Sequence, residues 1–210
     1  MSSRAHGWAG QPGANACDER REERREPGLP APAVSLTCVI GVAAGGGRVR
    51  VTVVGCSGSG PGPMSPASSY LVEHDGFRVL LDLGNGAFGA LQGLIDPGSV
   101  DAVFLSHLHA DHCLDVAPFV VWHRYSGRAT KPLVPLFAPV GAERRLALAY
   151  DADGGGLTDV FDFVPVGAGR LELGPFAAML VRTAHPVECY AIRLTAGGRS
   201  LVYTGDTGAS

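Results

Sequence analysis

Short apolar runs separated by glycine and proline predict a chain of brief strands with a few helices between them. Residues 49–54 alternate apolar and polar positions and then become fully apolar, which predicts a strand. Residues 70–73 and 77–83 predict two more, joined by a tight turn at His74, Asp75 and Gly76. Residues 102–105 are apolar throughout, as expected of a buried strand. Residues 133–138, 161–166, 176–183, 189–195 and 200–204 complete the predicted strands. Helices are predicted over residues 88–94, where Gly89 and Gly93 weaken the propensity, over 115–125, and over 143–150. Asp115 is expected to cap the second of these, with Pro118 tolerated in its first turn. Strands outnumber helices and no repeat is present, so the expected fold class is α+β, with sheet layers covered by helices.

The amino-terminal part follows no such pattern. Residues 18–26 are an unbroken acidic and basic run, and residues 27–32 are rich in proline. A segment of this kind buries too little to offset its ordering entropy, and residues 1–33 are expected to be disordered. Residues 34–44 are apolar but too short for a bilayer, which takes ~20 residues. The long, charge-balanced stretch before them fits a signal peptide poorly. Residues 1–48 therefore read as an extension and residues 49–210 as the domain.

Composition narrows the class further. With 210 residues, 46% hydrophobic and 18% charged, the chain suits one globular domain. A net charge of −3 gives no global attraction to nucleic acid or to an anionic membrane. The five cysteines, Cys17, Cys38, Cys56, Cys113 and Cys189, are odd in number and none form a Cys-x-x-Cys pair. That argues against a disulfide framework and against a structural zinc knuckle, and for a reducing, cytoplasmic setting without membrane attachment.

The chemistry concentrates after the buried strand at 102–105. His107, His109, Asp111 and His112 follow it directly. In extended backbone, positions i and i+2 point the same way, so His107 and His109 can aim at one point. A turn into helix would carry Asp111 and His112 toward a second point nearby. Imidazole and carboxylate suit zinc, and also iron or manganese. Ser106, in the same loop, reads as a loop-end hydroxyl with no base beside it in sequence. Upstream, the first strand runs into a glycine-rich loop containing Ser57, Gly58 and Ser59, a composition that lets backbone approach a ligand closely.

The run Ser106-His107-Leu108-His109-Ala110-Asp111-His112 resembles the His-x-His-x-Asp-His motif of the metallo-β-lactamase superfamily. His185, within Thr183-Ala184-His185-Pro186-Val187-Glu188, and Asp206, within Tyr203-Thr204-Gly205-Asp206-Thr207-Gly208, occur in the order that family requires. The resemblance covers residues 49–210 and implies an αββα sandwich with two divalent metals, Zn2+ first, with Mn2+ or Fe2+ as alternatives. It implies a first site of His107, His109, His185 and Asp206. Asp111, His112 and the shared Asp206 would form the second, with Asp111 also orienting the nucleophile. In the family a further helix and strand follow, bearing a histidine that completes the second site and another that protonates the leaving group. Neither has a counterpart before Ser210, so the expectation is a domain with its C-terminal part missing, a second site lacking its final histidine, and apolar sheet surface left uncovered.

The resemblance also narrows the chemistry. Zinc β-lactamases carry cysteine near the position of Asp206, so antibiotic hydrolysis is not expected. The segments Val51-Thr52-Val53-Val54-Gly55-Cys56-Ser57-Gly58-Ser59 and Asp82-Leu83-Gly84-Asn85-Gly86 resemble the RNase Z-like phosphodiesterase branch, and within it actinobacterial enzymes that hydrolyse cyclic nucleotides such as cAMP. A small phosphodiester cleaved by a metal-bound hydroxide is the implied reaction. The tRNA 3′-end endoribonucleases of the branch carry a Gly/Pro-rich arm between the motif and the later histidine. Here Asp153-Gly154-Gly155-Gly156 is too short for that arm, and tRNA is not expected as a partner. Thioester or lactone hydrolysis and an inactive metal-binding fragment remain the alternatives, and a homodimer is left open.

Overall fold

The computed structural model describes residues 37–40, 48–127, 132–151 and 156–208. Two sheets form. The first has seven strands in the order β1 (Thr37–Ile40), β2 (Val49–Gly55), β3 (Ser69–His74), β4 (Phe77–Leu81), β5 (Ala102–Phe104), β6 (Val134–Ala138) and β7 (Phe161–Pro165). Strands β1 to β4 pair antiparallel, and β4 to β7 pair parallel. The second sheet is an antiparallel meander of β8 (Gly169–Leu173), β9 (Phe176–Arg182), β10 (Tyr190–Ala196) and β11 (Arg199–Tyr203).

The side-chain alternation of β3, β4 and β5 explains the layering. Leu71, Leu80 and Val103 point to one face and pack with Phe88, Leu91, Phe119, Val120 and Leu146, which come from helices α1 (Ala87–Gln92), α3 (Val116–Tyr125) and α4 (Ala142–Tyr150). Val72, Val79, Leu81 and Phe104 point to the other face and pack with Phe176, Leu180, Ile192 and Leu194 of the second sheet. Buried on both sides, β4 and β5 carry one polar residue between them, Arg78, as expected of central strands. The far side of the second sheet presents Val181 and Val202 to solvent, at 59% and 60% exposure. No helix among the described residues is long and apolar enough to cross a membrane.

Four details depart from the pattern-based expectations. Residues 37–40, placed in the amino-terminal extension, form an edge strand paired with β2, because four extended residues suffice to satisfy that edge. Residues 1–36 lie outside the described residues. β4 was expected to reach residue 83 but ends at Leu81, because Asp82 adopts φ 60°, a left-handed conformation that breaks the ladder. β8 escapes the hydropathy pattern, since Arg170 and Glu172 alternate with only two leucines. Asp115 stands at the N-cap of α3 but makes no capping bond; its carboxylate accepts the Phe88 amide at 2.8 Å and ties α3 to α1.

The β3–β4 turn forms as expected, with Asp75 and Gly76 at φ 48° and 84° and His74 opposite Phe77. Beyond β4 the chain is held tightly. The Leu83 amide donates to the His112 carbonyl at 2.8 Å, and the Asp115 amide donates to the Leu83 carbonyl at 3.0 Å. A Cβ on Gly84 would lie 1.9 Å from the Asp111 carbonyl oxygen, a backbone atom that cannot swing away. Gly84→Ala is therefore expected to destabilise the domain by about 1–3 kcal/mol, the usual cost of overpacking, seen as a lower urea midpoint.

Candidate metal centre

The carboxyl ends of β4, β5, β9 and β11 meet at one rim of the sandwich. Parallel pairing sets Leu81 beside Phe104, so Asp82 and the Leu105–Ser106–His107 segment emerge next to each other. His109 then stands at the N-cap of the single-turn helix α2 (Ala110–Cys113), which carries Asp111 and His112. The second sheet brings His185 from the turn after β9 and Asp206 from the turn after β11.

Every ligand expected from the sequence arrives at this rim. His107, His109, His185 and Asp206 offer donor atoms within 4.8 Å of one another, and so do Asp111, His112 and Asp206. His109 Nδ1 lies 3.1 Å from His107 Nε2 and 3.1 Å from His185 Nε2. The Asp206 carboxylate spans the two groups, with Oδ2 3.9 Å from His107 Nε2 and Oδ1 3.3 Å from His112 Nε2. Asp111 Oδ2 lies 3.4 Å from His112 Nε2. A tetrahedral ion with bonds of about 2.1 Å holds its ligand atoms about 3.4 Å apart, which matches these separations.

The protonation pattern supports the same fit, and it originates at a residue to which sequence reasoning assigned no role. Asp82 is fully buried. Its Oδ1 accepts the Ser106 amide at 2.6 Å, and its Oδ2 accepts the Ser106 hydroxyl at 2.7 Å and His112 Nδ1–H at 2.6 Å. The Tyr203 phenol donates to the same oxygen. Ser106 has one hydroxyl proton and gives it to Asp82, so its oxygen accepts from His107 Nδ1 at 3.0 Å. One carboxylate thus sets the tautomers of two histidines and leaves both Nε2 lone pairs facing the cluster. At His112 that lone pair confronts two carboxylates. The arrangement is repulsive unless a cation, either proton or metal, stands between them.

The titration behaviour follows. Burial pushes His107 down to about 4, helped by the neighbouring His112 and opposed by Asp82 and Asp206. Burial also acts to lower His112, but the hydrogen bond it donates to Asp82 and the charges of Asp82, Asp206 and Asp111 outweigh it and leave His112 raised. A metal ion entering beside His107 displaces no proton from that ring above about pH 4, whereas one entering beside His112 competes with a proton held more firmly than on an ordinary imidazole. Two further contacts were not legible from sequence. Thr183 Oγ1 donates to the Asp206 carbonyl at 2.8 Å, and Gly208 N donates to the Ala184 carbonyl at 2.7 Å, stitching the His185 and Asp206 turns together. Among the described residues the cysteines are free thiols; Cys113 and Cys189 are buried and Cys56 is exposed.

The profile of the Metallo-beta-lactamase superfamily matches residues 62–210. The chain belongs to that superfamily. Within it, the protein ML1173 of Mycobacterium leprae is 46% identical over 169 residues, covering 77% of this chain and 58% of the relative. "Probable metallo-hydrolase YhfI" of Bacillus subtilis is 32% identical over 164 residues, covering 76% of this chain and 64% of the relative. Its crystal structure superposes with a TM-score of 0.66 at 30% identity over 75% of this chain and 63% of that one. Ribonuclease BN of Escherichia coli is 30% identical over 117 residues, covering 55% of this chain and 38% of the relative. The chain thus spans less than two thirds of the length of these superfamily relatives.

Acidification acts on the His112 position. A proton held more firmly than on an ordinary imidazole competes there with a bound cation, whereas the His107 ring itself stays neutral down to about pH 4. Metal affinity at the group of Asp111, His112 and Asp206 is expected to fall as the pH drops from 8 to 5, measured by chelator competition. Asp82→Ala leaves His112 and Ser106 without their acceptor, and a 10–100-fold loss of metal affinity is expected by chelator competition.

Proposed function

We propose that the protein is a two-metal phosphodiesterase acting on a small phosphodiester, with a cyclic nucleotide such as cAMP as the preferred substrate. The observation that carries this reading is the pair of donor groups sharing Asp206 at the mouth of an open cleft. That cleft has a volume of about 560 Å³, and His112, Asp206, Tyr70, Tyr203, Cys56 and Gly58 are among its lining residues. His107, His109, His185 and Asp206 would hold one divalent ion, and Asp111, His112 and Asp206 the other, with Zn2+ the best match to the nitrogen and oxygen donors. Bound there, such ions lower the pKa of a water and offset charge on phosphoryl oxygens.

The residues supply the rest. Asp111 is 16% exposed, with Oδ2 3.4 Å from His112 Nε2, and would accept a hydrogen bond from the attacking water. Asp82 and Ser106 keep His107 and His112 in their ligating tautomers. Gly58 borders the cleft, which supports a substrate-facing role for the Ser57–Gly58–Ser59 loop, although the Ser57 hydroxyl itself donates to the Ser65 carbonyl at 2.8 Å. A small substrate is favoured over tRNA by the net charge of −3 and by the segment between His112 and His185, where α3, β6, α4, β7, β8 and β9 follow one another without an arm among the described residues.

The test is a panel of cAMP, bis(p-nitrophenyl) phosphate, a precursor tRNA, a thioester and a lactone, offered to protein loaded with Zn2+ or Mn2+. Cleavage of the two small phosphodiesters is expected, with at least a hundredfold loss in His109→Ala, since removing a ligand removes the ion's contribution to the barrier. Turnover of the thioester or lactone without phosphodiester cleavage would sink the reading.

A further inference from the structure

We infer that Tyr203 is a positioning residue, holding the strand that delivers the bridging aspartate against the carboxylate that orients the histidines. This inference rests on the metal-binding reading above. Tyr203 ends β11 in the second sheet, whereas Asp82 ends β4 in the first. The phenol O–H reaches across and donates to Asp82 Oδ2, the oxygen that also takes Ser106 Oγ at 2.7 Å and His112 Nδ1 at 2.6 Å. Its own oxygen lies 3.5 Å from His112 Nδ1. Among the described hydrogen bonds, the other side-chain donors to this carboxylate come from the first sheet and the segment that follows it.

The surroundings fix the phenol in place. Its ring packs on Tyr70 with centroids 5.1 Å apart and planes at 50°. Two residues on, Gly205 adopts φ 55°, and a Cβ there would lie 2.7 Å from Ser106 Cβ, so the end of β11 presses directly on the serine of the same network. Asp206 comes next, and Thr183 holds its carbonyl from the opposite side at 2.8 Å. The bridging carboxylate is thus delivered by a turn anchored to Asp82 at one end and to Thr183 at the other. Burial and the neighbouring Asp82 raise the Tyr203 phenol well above its ordinary value, which keeps it a donor throughout the working pH range.

Loss of the phenol oxygen should affect the two metal positions unequally. His107, His109 and His185 supply three ligands to the first ion without help from Tyr203. The second ion would depend on Asp111, His112 and Asp206, and Tyr203 places two of those three. Tyr203→Phe is therefore expected to weaken the second Co2+ or Zn2+ about tenfold while the first changes by less than about twofold. Tyr70→Phe, which keeps the ring packing, is expected to change neither. Stepwise affinities come from chelator competition, and the Co2+ d–d absorption reports the geometry of each ion. In the metal-free protein the His112 Nδ1 proton resonance should move downfield in Tyr203→Phe, because Asp82 Oδ2 then serves fewer donors.

Wild-type affinities for both ions in Tyr203→Phe, with an unmoved His112 resonance, would overturn the inference. Equal loss of both ions with a lower apo melting temperature would overturn it too, by assigning Tyr203 a purely structural role. A wild-type protein that takes up no metal at all would instead refute the metal-binding reading on which the inference stands.

Discussion

The structure depends on one buried carboxylate. Asp82 lies at full burial between the two sheets, in a left-handed conformation that costs an aspartate roughly 1–3 kcal/mol, and it survives there because four donors converge on it. An unpaired charge at that depth would be prohibitive. The donors are therefore obligatory, and each belongs to a segment that carries or adjoins a candidate metal ligand. Satisfying Asp82 draws those segments together.

The layering makes that convergence possible. Leu81 and Phe104 are register partners in parallel strands, so their successors Asp82 and Leu105 leave the sheet side by side. The face-to-face packing of Val79, Leu81 and Phe104 on Phe176, Leu180 and Ile192 brings β9 and β11 up to the same rim. No single element holds the site. Apolar burial sets the distance between the sheets, and hydrogen bonds through Asp82, Ser106, Thr183 and Tyr203 set the angles.

Much of this was legible in sequence, for identifiable reasons. His107, His109, Asp111 and His112 declare themselves because their spacing is local and falls after an unbroken apolar strand. His185 and Asp206 were found through their order relative to that motif, not through any local property. Asp82 drew notice only as part of a familiar segment, because its four donors lie 24, 30 and 121 positions away and nothing nearby reveals them. Ser106 was set aside as a loop-end hydroxyl since its partners are invisible without the β4–β5 pairing. The strand at residues 37–40 and the strand β8 were missed because an edge position asks little of hydropathy. Asp115 was placed correctly at a helix start and misjudged in its bond, since α1 offered a better donor than α3 itself.

The walls of the cleft have a different origin from its floor. The candidate ligands stand at the ends of strands locked into both sheets, but Val53 and Leu201 of the wall sit along β2 and β11 and belong to neither donor group. Tyr70 touches both parts, since it lines the cleft and packs on Tyr203. The outline of the cleft and the geometry of the histidine–carboxylate cluster are thus written largely on separate parts of the chain.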